Sequence, residues 1–286
     1  MAFASEHAGT EIVAVDAMQV YRGMDIGTAK PTPEDRAQVP HHCIDLIDPT
    51  EEFALPEFVN AAQSAVDDIN SRGNVALLVA GTGLYLRALT DPMDVPGTWP
   101  DVKADLERRA AAEGTERLHA ELVAADPLAA SRMEPGNTRR VVRALEVLSG
   151  SGRPFSSYGP GITTYGDTPF RMLGLRWPRP LLHTRIATRV HRMMDAGLLD
   201  EVRSLLTAPG TLSRTARQAL GYKELIDHLE GRASLDAAIE TIITRTRQFA
   251  VRQERWFRRD PRIVWIDIAT NPVAEAVPVL RDLVRR

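Results

Sequence analysis

A short apolar run that ends on a carboxylate constrains this chain more than any other feature. Residues 12–15 are continuously apolar, and Asp16 follows them directly. A run of this length without polar alternation is typical of a strand that is buried on both faces, as in a parallel sheet. In open α/β sheets, ligands bind at the carboxyl ends of the strands. The sequence therefore predicts a parallel α/β sheet with Asp16 at its binding edge.

A second strand with a glycine-rich end supports this interpretation. Residues 75–79 are apolar and lead into Ala80, Gly81, Thr82 and Gly83, which indicates a buried strand followed by a tight turn into a helix. We expect the Thr82 hydroxyl to face the same site as Asp16, although a plain turn that caps a helix would have the same sequence. Further core strands are predicted at 170–176 and 263–267, and a helix ended by Gly73 is predicted at 55–71.

The middle of the chain contains no predicted strand. A Pro/Gly/Asp-rich stretch at 91–97 is followed by three charged segments with helical composition, at 102–113, 116–125 and 137–149, and then by a linker-like stretch at 149–167. Helices without an intervening strand between two α/β segments suggest a small helical subdomain. We therefore predict an α/β core from residues 1–95 and 168–286, with a helical insertion at 96–167.

Composition limits the possible classes of protein. The 286 residues are 44% hydrophobic, which is enough for one large domain or two smaller ones. The single cysteine, Cys43, excludes an internal disulfide and a zinc cluster. Its neighbours His41 and His42 would point apart on a strand, so no residue is assigned as a metal ligand. Because there is neither a signal-peptide pattern nor an apolar run of about 18 residues, we expect a cytoplasmic protein without a membrane span.

Charge is distributed unevenly along the chain. Residues 1–60 hold three Lys or Arg against eleven Asp or Glu, whereas residues 245–262 hold seven Arg against two acidic residues. In the predicted helix 235–259, one side is apolar, with Ile239, Ile242, Ile243, Phe249, Ala250 and Phe257. Another side carries Arg245, Gln248, Arg252, Arg255 and Arg259. We expect the apolar side to face the core and the basic side to contact an RNA backbone.

The loop after Asp16 resembles a family signature. Residues 16–31 read DAMQVYRGMDIGTAKP, which is similar to the signature of the tRNA dimethylallyltransferases, also called tRNA isopentenyltransferases. Further similar segments follow in the family's order up to about residue 267: AGTGLY at 80–85 (with Ala80 for the first glycine), RRVVRALEV at 139–147, RIATR at 185–189, MMDAGLLDEV at 193–202 and ARQALGYKEL at 216–225. The family attaches a five-carbon isoprenoid from dimethylallyl diphosphate to N6 of the adenosine 3′ of the anticodon.

The resemblance implies a fold and a set of roles. The implied fold is a P-loop NTPase-like parallel sheet core with a helical insertion subdomain. Asp16 would act as general base with Thr82 as a catalytic partner, and Arg185 and Arg189, one helical turn apart, would bind the diphosphate together with Mg²⁺. The implied partners are a tRNA anticodon stem-loop and dimethylallyl diphosphate, and we expect a monomer. The residues implied in tRNA binding are Asp16, Ala17, Met18, Gln19, Thr82, Arg139, Arg140, Arg143, Gln218, Gly221, Tyr222, Lys223, Arg245, Arg252 and Arg255.

One family motif is not found in the sequence. The family begins with a strand and the phosphate loop G-x-x-x-x-G-K-[ST]; the nearest string here, Gly27-Thr28-Ala29-Lys30, has the wrong spacing. We expect the coding sequence upstream of Met1 to supply that segment; the alternative is a shortened, impaired protein. Two other functions stay open: a tRNA-binding remnant without transfer activity, and a P-loop kinase for a small metabolite.

Overall fold

The computed structural model describes residues 1–91, 93–159 and 164–285. The chain divides into two compact units, one formed by residues 1–90 with 168–286 and the other by residues 91–167. The sequence placed the first boundary slightly later, at 95. Residues 160–163 of the predicted linker lie outside the described residues.

The strands all belong to the first unit. In the described part of the chain they are β1 (Thr10–Val15), β2 (His41–His42), β3 (Val75–Ala80), β4 (Met172–Arg176) and β5 (Ile263–Asp267). A three-stranded parallel sheet has the order β2-β1-β3, and β4 and β5 form a separate parallel pair. The segment at 170–176 is therefore a strand as predicted, but it does not extend the sheet that contains β1. Since Val15 is paired with Ala80, β1 and β3 end together.

Burial differs between the two long strands of this sheet. All six residues of β1 are buried, which confirms the prediction of a strand covered on both faces. β3 was also predicted to be buried, but its residues are only partly covered and Val79 is 53% exposed. The reason is position: β1 has a hydrogen-bonded neighbour on both sides, whereas β3 stands at the edge of this three-stranded sheet.

The helices surround these strands or form the second unit. In chain order they are α1 (Ala2–Glu6), α2 (Pro33–Gln38), α3 (Leu55–Ser71), α4 (Gly83–Thr90), α5 (Pro100–Glu113), α6 (Thr115–Ala125), α7 (Pro127–Ala130), α8 (Thr138–Ser151), α9 (Arg179–Asp195), α10 (Leu198–Thr207), α11 (Arg214–Arg217), α12 (Tyr222–Leu229), α13 (Leu235–Phe257) and α14 (Pro272–Arg285). A 3-10 turn lies at Phe155–Ser157. None of the helices in the described ranges is both long and apolar enough to cross a bilayer.

Local chemistry explains where the main helices begin. The Ser234 hydroxyl accepts a hydrogen bond from the amide of Ala237 at 3.2 Å, which caps the start of α13. Asn137 caps α8 in the same way, through the amide of Arg140 at 3.3 Å. Because such caps satisfy amides that have no partner within the helix, both starts could be predicted to within a residue or two.

Each unit has its own apolar core. In the first unit, β1 and α3 pack with the helices that follow β4, through a cluster that includes Val13, Val15, Phe58, Leu225 and Ile226. In the second unit, α5 to α8 enclose a separate cluster, which includes Leu106, Leu118, Leu122, Val141 and Leu145. The apolar contacts of the first unit hold the carboxyl end of β1, and with it Asp16, in a fixed place.

Candidate active site

Asp16 is anchored through one of its two carboxylate oxygens. Its Oδ1 accepts hydrogen bonds from the backbone amides of Met18 at 2.7 Å and Gln19 at 3.3 Å. Among the described residues, Oδ2 has no hydrogen-bonding partner. The turn after β1 therefore fixes the orientation of the carboxylate and leaves one basic oxygen able to accept a proton.

Thr82 lies at the neighbouring strand end. Its Oγ1 accepts a hydrogen bond from the amide of Ala17 at 3.3 Å. The amides of Gly81 and Thr82 both donate to the carbonyl of Val15, at 3.3 and 3.4 Å. The two strand ends are thus joined, and the structure brings Thr82 next to the residue that follows Asp16.

The signature loop is held from inside by a buried lysine. Lys30 Nζ donates to the carbonyl of Tyr21 at 2.7 Å and contacts carboxylate oxygens of Asp25 at 2.5 Å and Asp45 at 2.7 Å. The side-chain amide of Gln19 donates to the carbonyls of Thr28 at 3.1 Å and Ala29 at 3.4 Å. These bonds close residues 19–30 into a compact loop, in which Lys30 is fully engaged and is not free to bind an anion.

Two further groups interact electrostatically with Asp16. Desolvation lowers the pKa of Arg189, although the residue is exposed overall, and the charge of Asp16 acts in the opposite direction. Burial, with smaller contributions from Tyr21 and Asp16, raises the pKa of Tyr85 to about 12. Arg185, one turn before Arg189 on α9, places its guanidinium 4.2 Å from the ring centroid of Trp177. Arg189 therefore supplies a cation near the carboxylate.

Sequence reasoning missed two residues of α13 that reach this site. Gln253 donates its side-chain amide to the carbonyl of Gly81 at 2.7 Å. A β-carbon at position 81 would stand 3.4 Å from Gln253 Nε2 and 3.5 Å from Asp16 Oδ2, so the amide and the carboxylate flank the same spot. The ring of Trp256 covers Gly83, where a β-carbon would lie 2.1 Å from Cδ1. Trp256 lies two helical turns after Phe249 and continues the apolar side of α13, whereas nothing in the sequence singled out Gln253.

The basic side of α13 and the α11–α12 segment share an open pocket of about 340 Å³. It joins two sets of residues that the resemblance implied in tRNA binding, and its lining residues are Gln218, Leu220, Lys223, Glu224, Arg245, Gln248, Phe249 and Arg252. Phe249 was expected in the core but is 41% exposed, with the Arg252 guanidinium 5.9 Å from its ring centroid. The apolar side of α13 thus turns away from the core at Phe249.

Two of the residues implied in tRNA binding make contacts within the protein. Tyr222 is only 1% exposed, so its side chain has no surface for a direct tRNA contact, which corrects that expectation. Arg245 is exposed but ion-paired with the buried carboxylate of Glu224. Arg252 and Arg255 are exposed with no ion pair among the described residues. Of these residues, the last two are the best placed to meet phosphates.

In the second unit, the three arginines of α8 differ from one another. Arg139 and Arg140 are exposed. Arg143 is half-buried, contacts Glu146 Oε1 at 2.9 Å and donates to the carbonyls of Pro96 and Gly97, both at 2.9 Å. Arg143 therefore ties the start of this unit to α8, and a role in tRNA binding stays a prediction for all three arginines.

Two solved structures share the fold of this chain. The solved structure of a full-length tRNA isopentenylpyrophosphate transferase from Bacillus halodurans superposes with a TM-score of 0.70 at 34% identity, over 99% of this chain and 90% of that one. A eukaryotic dimethylallyltransferase captured while acting on tRNA superposes with a TM-score of 0.80 at 26% identity, over 99% of this chain and 75% of that one.

Sequence relatives are named tRNA dimethylallyltransferases. A tRNA dimethylallyltransferase from Streptomyces coelicolor is 44% identical over 284 residues, which is 99% of this chain and 90% of the relative. One from Kineococcus radiotolerans is 48% identical over 256 residues, which is 90% of this chain and 80% of the relative.

Fold and site together define an α/β transferase with a P-loop NTPase-like core. The model of the IPP transferase family matches residues 19–260. The chain belongs to the IPP transferase family.

Proposed function

We propose that this protein transfers a dimethylallyl group from dimethylallyl diphosphate to N6 of the adenosine 3′ of the anticodon in tRNA. The observation that supports this most directly is the Asp16 carboxylate at the end of β1, which has one anchored oxygen and one oxygen without a partner among the described residues. Since tRNA is the substrate, we place the protein in the cytoplasm, and we propose that it acts as a monomer on the anticodon stem-loop.

The reaction needs a base because an exocyclic adenine amine is a poor nucleophile. As N6 attacks C1 of the dimethylallyl group, the N6–C1 bond forms and the C1–O bond to diphosphate breaks, while Asp16 Oδ2 takes the N6 proton. The target adenosine has to leave the anticodon stack to reach Asp16. Gln19 and Thr82 border the carboxylate and supply polar groups for the edge of the base.

Negative charge develops on the leaving diphosphate, and cations placed there lower the barrier. We assign two side chains of α9 to the diphosphate: Arg189, which interacts with Asp16, and Arg185, one turn away. The described residues contain no group of three His, Cys, Asp or Glu side chains able to cage a metal ion. Mg²⁺ ordinarily keeps several waters and binds substrate phosphates, so we propose that Mg²⁺ is held mainly by the diphosphate, whose charge it offsets.

The test is direct transfer. The protein is incubated with dimethylallyl diphosphate and an anticodon stem-loop RNA, and nucleoside mass spectrometry follows the mass of the target adenosine. We expect one dimethylallyl group on that adenosine and none on an RNA with guanosine in its place. Binding of the RNA without any transfer would favour the RNA-binding remnant over the transferase, and phosphorylation of a small metabolite would favour the kinase.

A further inference from the structure

The carboxylate of Glu201, on α10, is surrounded by hydrogen-bond donors from another part of the chain. Its Oε2 accepts from the amides of Asp25 at 3.0 Å and Ile26 at 2.7 Å, and its Oε1 accepts from the amide of Gly27 at 3.2 Å. The hydroxyl of Tyr222 donates to the same Oε1 at 2.6 Å. With four donors on one carboxylate, Glu201 has little capacity left to act as a base, so its place calls for a different role.

Tyr222 closes the same contact from α12. A β-carbon at position 27 would lie 2.5 Å from Cε2 and 2.6 Å from Cζ of the Tyr222 ring, so only glycine lets the loop pack this closely against the ring. Burial and the adjacent charge of Glu201 raise the pKa of Tyr222 far above its usual range. The hydroxyl therefore stays protonated and keeps donating to Glu201.

The other end of this loop determines how Gln19 is oriented. The Gln19 side-chain nitrogen faces the carbonyl oxygens of Thr28 and Ala29. Carbonyl oxygens only accept hydrogen bonds, so the NH₂ group must be on that side. Within the described residues Oε1 of Gln19 has no partner, and the Gln19 backbone amide is bonded to Asp16. Gln19 thus has an acceptor oxygen with a fixed direction, on a residue whose backbone is bonded to the Asp16 carboxylate.

We propose that Glu201 and Tyr222 are positioning residues that hold loop 25–29, and through it Gln19, so that Gln19 Oε1 accepts a hydrogen bond from the exocyclic amine of the target adenine. The inference rests on the proposed function, because it takes adenine as the base in the site. The amine has two hydrogens: Asp16 takes one as a proton, and Gln19 holds the other in a hydrogen bond. Glu201 and Tyr222, which we call the clamp, thus favour the binding of a base that carries an amine at position 6.

Equilibrium binding tests the clamp independently of transfer. Two anticodon stem-loop RNAs are compared, one with adenosine at the target position and one with purine riboside, which lacks only the amine. We expect the wild-type protein to prefer adenosine by roughly two- to tenfold, the value of one net hydrogen bond. Glu201→Ala should lose this preference while its affinity for the purine riboside RNA stays within about twofold of wild type. Tyr222→Phe should lose part of the preference, since it removes only the hydroxyl.

Controls separate positioning from general damage. Glu240→Ala, which removes an exposed carboxylate from α13, should keep the full preference. In a Gln19→Ala background, Glu201→Ala should have no further effect on the ratio of the two affinities, because the group through which it acts is already missing. A further fall in affinity for both RNAs alike would mean a purely structural role and would overturn the proposal.

The remaining outcomes are distinguishable. A wild-type protein that binds both RNAs equally would overturn the proposal that Gln19 recognises the amine, whereas failure of the transfer assay would contradict the proposed function itself. A wild-type preference that survives in Glu201→Ala would overturn the clamp and leave the proposed function standing. If Glu201→Ala does not fold by circular dichroism, Tyr222→Phe decides, because it keeps the ring against Gly27; an unchanged preference in that variant would also overturn the proposal.

Discussion

The side-chain amide of Gln253 donates to the carbonyl of Gly81 at 2.7 Å. This hydrogen bond joins α13 to the turn after β3, beside Asp16. The same helix carries the exposed Arg252 and Arg255 one residue before and two residues after Gln253. A single rigid element therefore contains both the basic surface and a contact with the site, so RNA held by the arginines would be held in a fixed relation to the carboxylate.

Asp16→Asn should abolish most of the transfer activity. Asparagine keeps an oxygen for the amides of Met18 and Gln19 but has no basic oxygen to accept a proton. We expect single-turnover transfer to slow by roughly 10²–10⁴-fold, with little change in RNA affinity. Asp48→Asn, at an exposed ion pair with Arg22, is the matched control. Activity within tenfold of wild type would remove Asp16 from the role of general base.

Arg252→Ala combined with Arg255→Ala should weaken RNA binding and reduce its salt dependence. Fewer counterions are released on binding for each phosphate contact that is lost, so the slope of log K against log salt should become shallower by roughly 0.7 to 0.9 per contact. The matched control removes two other cations, Arg171 and Arg281, which contact Leu283 and Glu6 respectively. An unchanged slope in the α13 variant would show that this face of the helix does not meet the RNA.

Glu11→Gln should lower stability at neutral pH without affecting the site. Hydrogen bonds from Arg72, and then from His42 and Asn74, lower the pKa of the buried Glu11 to about 2, while burial acts in the opposite direction. Because the folded pKa lies below the ordinary 4.5, this contribution to stability is present above about pH 4.5 and is lost as the pH falls towards 2.

Urea unfolding at several pH values measures this effect. We expect Glu11→Gln to lower the free energy of unfolding by roughly 1–3 kcal/mol at pH 7, because its donors lose their charged acceptor. The difference from wild type should narrow between pH 4.5 and 2, and Glu34→Gln, an exposed carboxylate on α2, should show no such narrowing. A difference that is independent of pH would argue against a depressed pKa.

Gly83→Ala should displace α13. The new methyl group would lie 2.1 Å from Trp256 Cδ1, and relief of such an overlap typically costs roughly 1–3 kcal/mol of stability. Gly136→Ala is the matched control, because the nearest atom to its β-carbon is 3.9 Å away. Thermal unfolding measures both variants. The double variant Gly83→Ala with Trp256→Phe should lose less stability than the sum of the two single variants. Strict additivity would show that the two residues are not in steric contact.

Local sequence determined the elements and the position of Asp16 at the end of a strand. The apolar run 12–15 predicted a strand buried on both faces, and β1 confirms it. The helices starting at Leu55 and Leu235 begin where they were expected. Such features depend on residues close together in the chain, namely hydrophobic periodicity, caps and glycine stops, and can be recognised without knowing what packs against them.

Only the tertiary structure decided which side chains near the site are buried, which are exposed and which residues they contact. Tyr222 sits in a motif that suggested an RNA contact, but it is buried against Gly27 and bound to Glu201, whereas Phe249 is exposed although it continues the apolar side of α13. Gln253 carried no sequence signal of its own and reaches Gly81, 172 residues away in the chain. The sequence determines which faces of a helix can be buried, but which of them is covered depends on distant segments whose arrangement is set by the packing of the whole core.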